Sequence, residues 1–336
     1  MSKKKERREA ARLRDIAHQV HQIQPEAEQK PATLAPMGTI ARLKHFYESK
    51  YMTLFFVALA IVGLAIIQII AQVAMTGDFL TKGVSLKGGI TVTVPDITND
   101  AAQVERGLRE RFGAYDLSVR ALSQAGVQNG LVFDADITDE RDMDAFMDEV
   151  AGLLDVDRQT LSVEIIGSAL GESFFAEALI AVFIAFLLMG IVVLITFRTL
   201  APSVMIIAAA ASDIIIALAL TNLFGVKVST AGIAAFLMLI GYSVDTDILL
   251  TTRVLRRKDE SAMDALYSAM KTGVLMTGTT IAAVLVGLIF SQSEVLKQIM
   301  LILLFGLVAD LLTTWFINTG ILRWYLEKKG KWSGPA

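Results

Sequence analysis

Ile240-Gly-Tyr-Ser-Val-Asp-Thr-Asp-Ile248 sets two carboxylates, Asp245 and Asp247, inside an apolar run that starts near Val228 and ends at Arg253. A charged side chain at the middle of a bilayer-length helix costs roughly 2.5 to 3.5 kcal/mol on insertion scales. Chains rarely carry that cost without a use, and the rest of this sequence reads as scaffold for the site.

The chain has 336 residues, 54% hydrophobic and 19% charged, with a mean hydropathy of +0.55. That composition lies outside the soluble range and predicts a polytopic membrane protein. A net charge of -3 gives no global basic surface, which speaks against nucleic acid as a partner. There is no cysteine, so disulfides, thiolate metal sites and cysteine nucleophiles are excluded together. The three histidines, His18, His21 and His45, all precede the first apolar segment; neither a metal nor a cofactor is expected. The first 50 residues are polar, so no cleavable signal is evident, and the run from Met52 serves as the insertion signal.

Residues 1–50 carry 11 Lys or Arg and a weak helical stripe of Leu13, Ile16, Val20 and Ile23, consistent with a solvated tail or with docking to anionic lipid. Six apolar segments follow, near 52–75, 173–197, 202–223, 228–252, 274–290 and 297–322. Each approaches the roughly 20 helical residues that cross a hydrocarbon core of about 30 Å. Lys and Arg crowd the N-terminal tail, the 253–271 loop and the tail from Arg323, whereas the opposite short loops hold Lys227 and Lys297. The expected topology has both termini cytoplasmic. Within the 253–273 loop, Ser261 and Asp264 make a capping-box-like start, and Met263, Leu266 and Met270 share a side, as in an interfacial helix.

Residues 76–172 form too long a connection to be structureless. Ile90, Val92 and Val94 alternate with threonines; Val104, Leu108 and Phe112 follow a Thr98-Asn-Asp cap; Leu117, Val119 and Ala121 form a second alternating set and Leu131, Phe133 and Ala135 a third, separated by the Gly126–Gly130 turn region. Thr138 then opens a helix with Met143, Phe146, Val150 and Leu153 inward, before a strand of Leu161, Val163 and Ile165. The order β-α-β-β-α-β is ferredoxin-like. The fold class is therefore a six-span α-helical membrane protein with one ferredoxin-like α+β extracytoplasmic domain after the first span. Between that domain and the second span, Gly167 and Gly171 suggest either a hinge or an ordinary strand-to-helix turn.

Four aspartates lie in the spans: Asp213, Asp245, Asp247 and Asp310. At 1.5 Å per residue from the cytoplasmic end, Asp213 is roughly 16 Å deep and Asp245 roughly 12 Å. With no Lys or Arg inside the spans, each needs a proton, a water or another subunit's charge. Ser212, Ser243, Thr279 and Thr280 sit at suitable depth to hydrogen-bond them. A small-residue stripe, Ala231, Ala234, Met238 and Gly241 ending at Asp245, and a second of Gly273, Thr277, Thr280, Val284 and Gly287 predict that spans 4 and 5 pack with Asp245 at the seam. Asp247, about 200° round the helix, is expected to face a partner or an aqueous vestibule. The set reads as a proton relay.

Four motifs carry a resemblance from about residue 45 onward. Gly83-Val-Ser-Leu-Lys-Gly88-Gly89 resembles a G-x-D-x-x-G-G entry into an outer domain, and Gly167-Ser-Ala-Leu-Gly-Glu-Ser-Phe174 the entry to the second span. Gly241-Tyr-Ser-Val-Asp-Thr-Asp247 resembles G-Y-S-x-N-D, and Thr277-Gly-Thr-Thr280 resembles S/T-G-T-T. Together with the span order, these identify the chain as a member of the SecD/SecF family of the resistance-nodulation-division class. Ser85 stands where the family has Asp; Asp245 stands where SecF proteins commonly have Asn, and Thr246 where they have the acid. This variant and the basic tail resemble archaeal members. The resemblance implies partnership with SecD, the Sec channel and a secreted polypeptide in the cell membrane, use of the proton motive force, and no enzymatic activity. The absence of a G-x-x-x-x-G-K-[ST] loop agrees. The alternatives are a small-molecule or lipid exporter of the same architecture and a passive scaffold. An aspartyl protease is disfavoured because its Tyr-Asp and Gly-x-Gly-Asp motifs are missing.

Overall fold

A computed structural model of the chain describes residues 46–124, 127–256, 261–291 and 293–330. The basic tail with its Leu13–Ile23 stripe, the turn at Gly126 and the end of the chain from Lys331 lie outside the described residues. Among the described residues, six helices are long and apolar enough to cross a membrane: span 1 (Tyr51–Thr76), span 2 (Ser168–Phe197), span 3 (Leu200–Leu223), span 4 (Thr230–Arg256), span 5 (Ala262–Phe290) and span 6 (Glu294–Lys328). Span 6 is not one α-helix. Its α-helical part, Glu294–Leu312, passes through a π-helical segment, Thr313–Asn318, and resumes as Thr319–Lys328.

Spans 3, 4 and 6 form the interior of the bundle. Because lipid is as apolar as leucine, helices in a bilayer associate through close packing and polar contacts, and small residues set how near they come. Gly306 of span 6 lies under Leu239 of span 4, where an added Cβ would fall 2.3 Å from Leu239 Cδ1. Gly273 of span 5 similarly admits the ring of Trp315, 2.5 Å from the position of an added Cβ. The fifth-span stripe packs inward as expected, with Gly273, Thr277 and Val284 buried. Ser261 caps span 5 by accepting from Asp264 N–H at 3.1 Å. The stretch with Met263 and Leu266 is however the buried first turns of that same helix, not a separate interfacial one. Those side chains lie against protein, and a continuous helix satisfies its own backbone.

Between spans 1 and 2 sits a four-stranded antiparallel sheet of order β2-β3-β1-β4, with β1 Gly89–Pro95, β2 Ser118–Gln124, β3 Val127–Ala135 and β4 Ser162–Ile166. Ile90, Val92 and Val94 alternate inward and are fully buried. Helices Ala101–Phe112 and Glu140–Leu154 pack on that face through Leu108, Phe112, Phe146 and Val150, which is the ferredoxin-like arrangement. The caps are Asp100, accepting from Ala102 N–H at 3.0 Å, and Asp139, accepting from Arg141 N–H at 2.9 Å. Asp100 closes the Thr98-Asn-Asp stretch expected to cap the first of these helices, whereas in the second the cap is Asp139 and not Thr138. Leu154, not Leu153, completes the inward face of the second helix.

This domain is tied to the bundle by polar contacts at its base. Val228 N–H donates to Thr81 O at 2.7 Å and Gly83 N–H to Val228 O at 2.8 Å. Ser85 Oγ accepts from Thr230 N–H at 3.2 Å, so the serine of the first motif caps span 4 from the short helical turn Val84–Lys87. Gly88 (φ 87°) and Gly89 (φ 132°) occupy backbone conformations that favour glycine. Gly171 is a close-approach residue, with an added Cβ 2.7 Å from Gly88 N. Gly167 is the N-cap of span 2 at ordinary dihedrals. Gly171 therefore lets span 2 pack closely against residues 86–88, and Gly167 sits at an ordinary strand-to-helix turn.

Asp116 is the charged part of this junction, 3.1 Å from Lys87 Nζ and 3.0 Å from Lys227 Nζ. Burial pushes its carboxyl up, but the Lys227 and Lys87 ammoniums outweigh burial and hold it below the ordinary aspartate value of 3.8. A depressed folded-state value means the contact contributes fully above pH 3.8 and is lost as pH falls through the lower folded value. The carboxylate is partly exposed, so each pair contributes about 0.2–1 kcal/mol. Hydrogen exchange at residues 81–88 is expected to rise on acidification below that window, and Asp116→Asn to reproduce the rise at neutral pH. Equal exchange in both proteins across the titration removes the clamp.

Candidate functional site

Three of the four span acids meet inside the bundle. Asp213 on span 3, Asp247 on span 4 and Asp310 on span 6 are 0%, 0% and 1% exposed. Each is held by hydroxyl or amide groups from another helix. Ser243 Oγ and Thr313 Oγ1 donate to the two oxygens of Asp213. Asp247 Oδ1 accepts from Asn318 Nδ2 at 2.7 Å and lies 2.9 Å from Thr314 Oγ1, which is also 2.9 Å from Asp310 Oδ1. The Thr246 and Thr277 hydroxyls bear on Asp310 as well.

Proton counting at Thr314 limits what this cluster can be. The hydroxyl has one proton to donate, yet it sits between two carboxyl oxygens at hydrogen-bonding distance. It donates to one. The other contact is a hydrogen bond only if that carboxyl carries a proton and donates to Thr314 in turn. Asp247 Oδ2 and Asp310 Oδ2 are buried without a partner, as is Asn318 Oδ1, leaving further acceptor positions for a proton or water. An unbalanced charge at such depth is costly, so the geometry suits a pair that holds and exchanges a proton.

The π-helical segment makes this possible. It widens the turn, so that Thr313 serves Asp213 while Thr314 and Asn318 both serve Asp247. Such segments occur mostly as local insertions at functional positions.

The structure reverses the expected placement of the two fourth-span acids. Asp245 is exposed, together with Ala234, Met238 and Gly241 of the small stripe. The buried face is Phe236, Ile240, Ser243, Asp247 and Val254, which follows the same 3/4 spacing on the opposite side. The reason is satisfaction: Asp247 finds donors on span 6, whereas among the described residues no hydrogen bond or ion pair joins Asp245 to another helix. Of the expected supporting groups, Ser243 is in place. Ser212 donates to Ala208 O, and Thr279 and Thr280 donate to Met276 O, each within its own helix. Thr313, Thr314 and Asn318 were legible as a polar stripe at spacings of 3, 4 and 8 from Asp310 in an otherwise apolar span. Glu177, an acid that the count of span aspartates leaves out, is exposed near the start of span 2 and takes a 3.5 Å contact from Ser173 Oγ.

Comparison with known proteins decides the family. Residues 147–328 match the family model described as protein export membrane protein SecD/SecF, C-terminal. The protein-export membrane protein SecF of Pyrococcus furiosus is 38% identical over 289 residues, covering 86% of this chain and 95% of that protein. The chain belongs to the SecF family of protein-export membrane proteins. The SecF of Methanothermobacter thermautotrophicus is 39% identical over 269 residues, covering 78% of this chain and 90% of that protein. Among solved structures, SecDF from Thermus thermophilus, a translocon-associated membrane protein, superposes with a TM-score of 0.67 at 19% identity over 83% of this chain. The SecF-family chain spans 38% of that SecDF chain. At that identity the likeness establishes a shared fold: six spans with a four-stranded domain after the first.

Proposed function

We propose that this SecF-family chain is a non-enzymatic accessory subunit of protein export. It pairs with SecD, associates with the Sec channel, and uses the proton motive force to favour outward movement of a secreted chain. Charge distribution supports the orientation. The ends of spans 2, 4 and 6 near Arg198, Arg256 and Arg323 are cytoplasmic, and the ferredoxin-like domain is extracytoplasmic. The observation that carries the coupling is Thr314 with its single proton between Asp247 and Asp310.

In this reading, one proton exchanges among buried carboxyls of spans 3, 4 and 6. Its presence or absence biases the arrangement of those helices. The domain base, joined to span 4 through Ser85, Gly83 and Thr81, follows. Asp245 has a separate role: an exposed acid at membrane depth belongs against polar groups of another subunit, and the flat face of Gly241, with nothing within 4 Å of an added Cβ, admits a close helix. That face is assigned to SecD.

The test is reconstitution of the chain with SecD in vesicles containing a trapped pH indicator, followed by an imposed pH step. Chain-dependent proton movement is expected. Vesicles that stay as tight as protein-free ones, with export by the same complex insensitive to collapse of the gradient, leave only the scaffold role.

A further inference from the structure

Spans 2 and 3 diverge above their connecting turn and leave a membrane-facing groove of about 650 Å³. Its walls are apolar, among them Phe183, Leu187, Leu194, Val204 and Ile207, with Gly190 as a notch in the floor. Along span 2 the lining runs from Leu179 to Leu194, which at 1.5 Å per residue is about 22 Å. That is longer than half of a hydrocarbon core of about 30 Å. A single lipid tail fits.

The turn at the end of the groove supplies charge. Arg198 lies between the lining residues Leu194 and Leu200 and is exposed. It holds a left-handed conformation, φ 52°, at the C-cap of span 2, a position where glycine or asparagine is the usual solution. An arginine kept there at a conformational cost points to a use for its guanidinium. The neighbouring Arg256 is already engaged, donating to Thr196 O at 2.8 Å, and adds positive charge beside the same turn.

We infer that this groove binds one tail of an anionic phospholipid whose headgroup is held by Arg198. Apolar complementarity selects a tail, and charge complementarity selects the headgroup. This inference is independent of proton coupling.

The full chain, reconstituted with SecD in equimolar phosphatidylglycerol and phosphatidylcholine vesicles and extracted gently, is examined by native mass spectrometry. Retained phosphatidylglycerol is expected to exceed phosphatidylcholine by about five-fold, the effect of one basic residue near a membrane surface. Arg198→Gly is expected to abolish that preference while leaving thermal stability unchanged or higher, because glycine suits the turn. Val204→Trp, which fills the groove at an exposed position, is expected to lose both lipids. Equal retention of the two lipids by the native chain overturns the headgroup assignment. Loss through Val204→Trp without any effect of Arg198→Gly means a general tail crevice only, and also overturns it. A cysteine at Leu187 that cross-links to SecD places protein in the groove and overturns the proposal outright.

Discussion

Asp247→Asn and Asp310→Asn are each expected to reduce proton-driven export about 100-fold, the lower part of what loss of a positioned proton-transfer group costs. Both changes are nearly isosteric, and an amide still accepts from Thr314 and Asn318, so the bundle should assemble. What the amide cannot do is release or regain a proton. The two carboxyls share one hydroxyl, so the double variant is expected to be no worse than either single one, the non-additivity of residues acting as a unit. Export rates of a reporter in cells carrying each variant, normalised to membrane abundance, provide the measurement. Additive losses, or wild-type rates in both single variants, refute the shared-proton assignment. Asp213, which is held by Ser243 and Thr313 and not by Thr314, is expected to combine differently with the other two.

The second large effect concerns Asp245. Asp245→Arg is expected to lower recovery of SecD with this chain at least ten-fold, because a reversed charge on a close helix face leaves its partner opposed and desolvated; truncating one member of a buried charge pair already costs about 2–5 kcal/mol. Asp245→Asn keeps the size and hydrogen bonding and should retain assembly. Co-purification of tagged complexes from membranes reads the outcome directly. Full recovery of SecD with the arginine variant shows that the exposed face of span 4 is not the contact. Because Asp245 is outside the buried cluster, the asparagine variant should also keep most of its proton response, which separates it from Asp247→Asn.

The physical logic of the two sites differs. Inside, three acids are tolerated because four neighbouring hydroxyl and amide side chains, Ser243, Thr313, Thr314 and Asn318, meet four of their six oxygens. Outside, Asp245 has no such shell among the described residues. In the proposed reading, the nine-residue stretch Ile240–Ile248 serves coupling with one side of the helix and assembly with the other.

Much of this was determined by the sequence alone. Run lengths gave six spans, the alternation at Ile90, Val92 and Val94 and the helical periodicity at Leu108 and Phe146 gave the order of the inserted domain, and the span aspartates pointed to a buried polar cluster that three of them form. These features depend on local period and on the cost of burying charge, both readable along the chain. Tertiary structure alone decided which fourth-span acid faces inward. Spacing defines stripes on a helix but not which stripe meets a neighbour, and the donors that settle it, Thr314 and Asn318, lie about seventy residues away on a helix whose π-helical segment shifts them by a fraction of a turn.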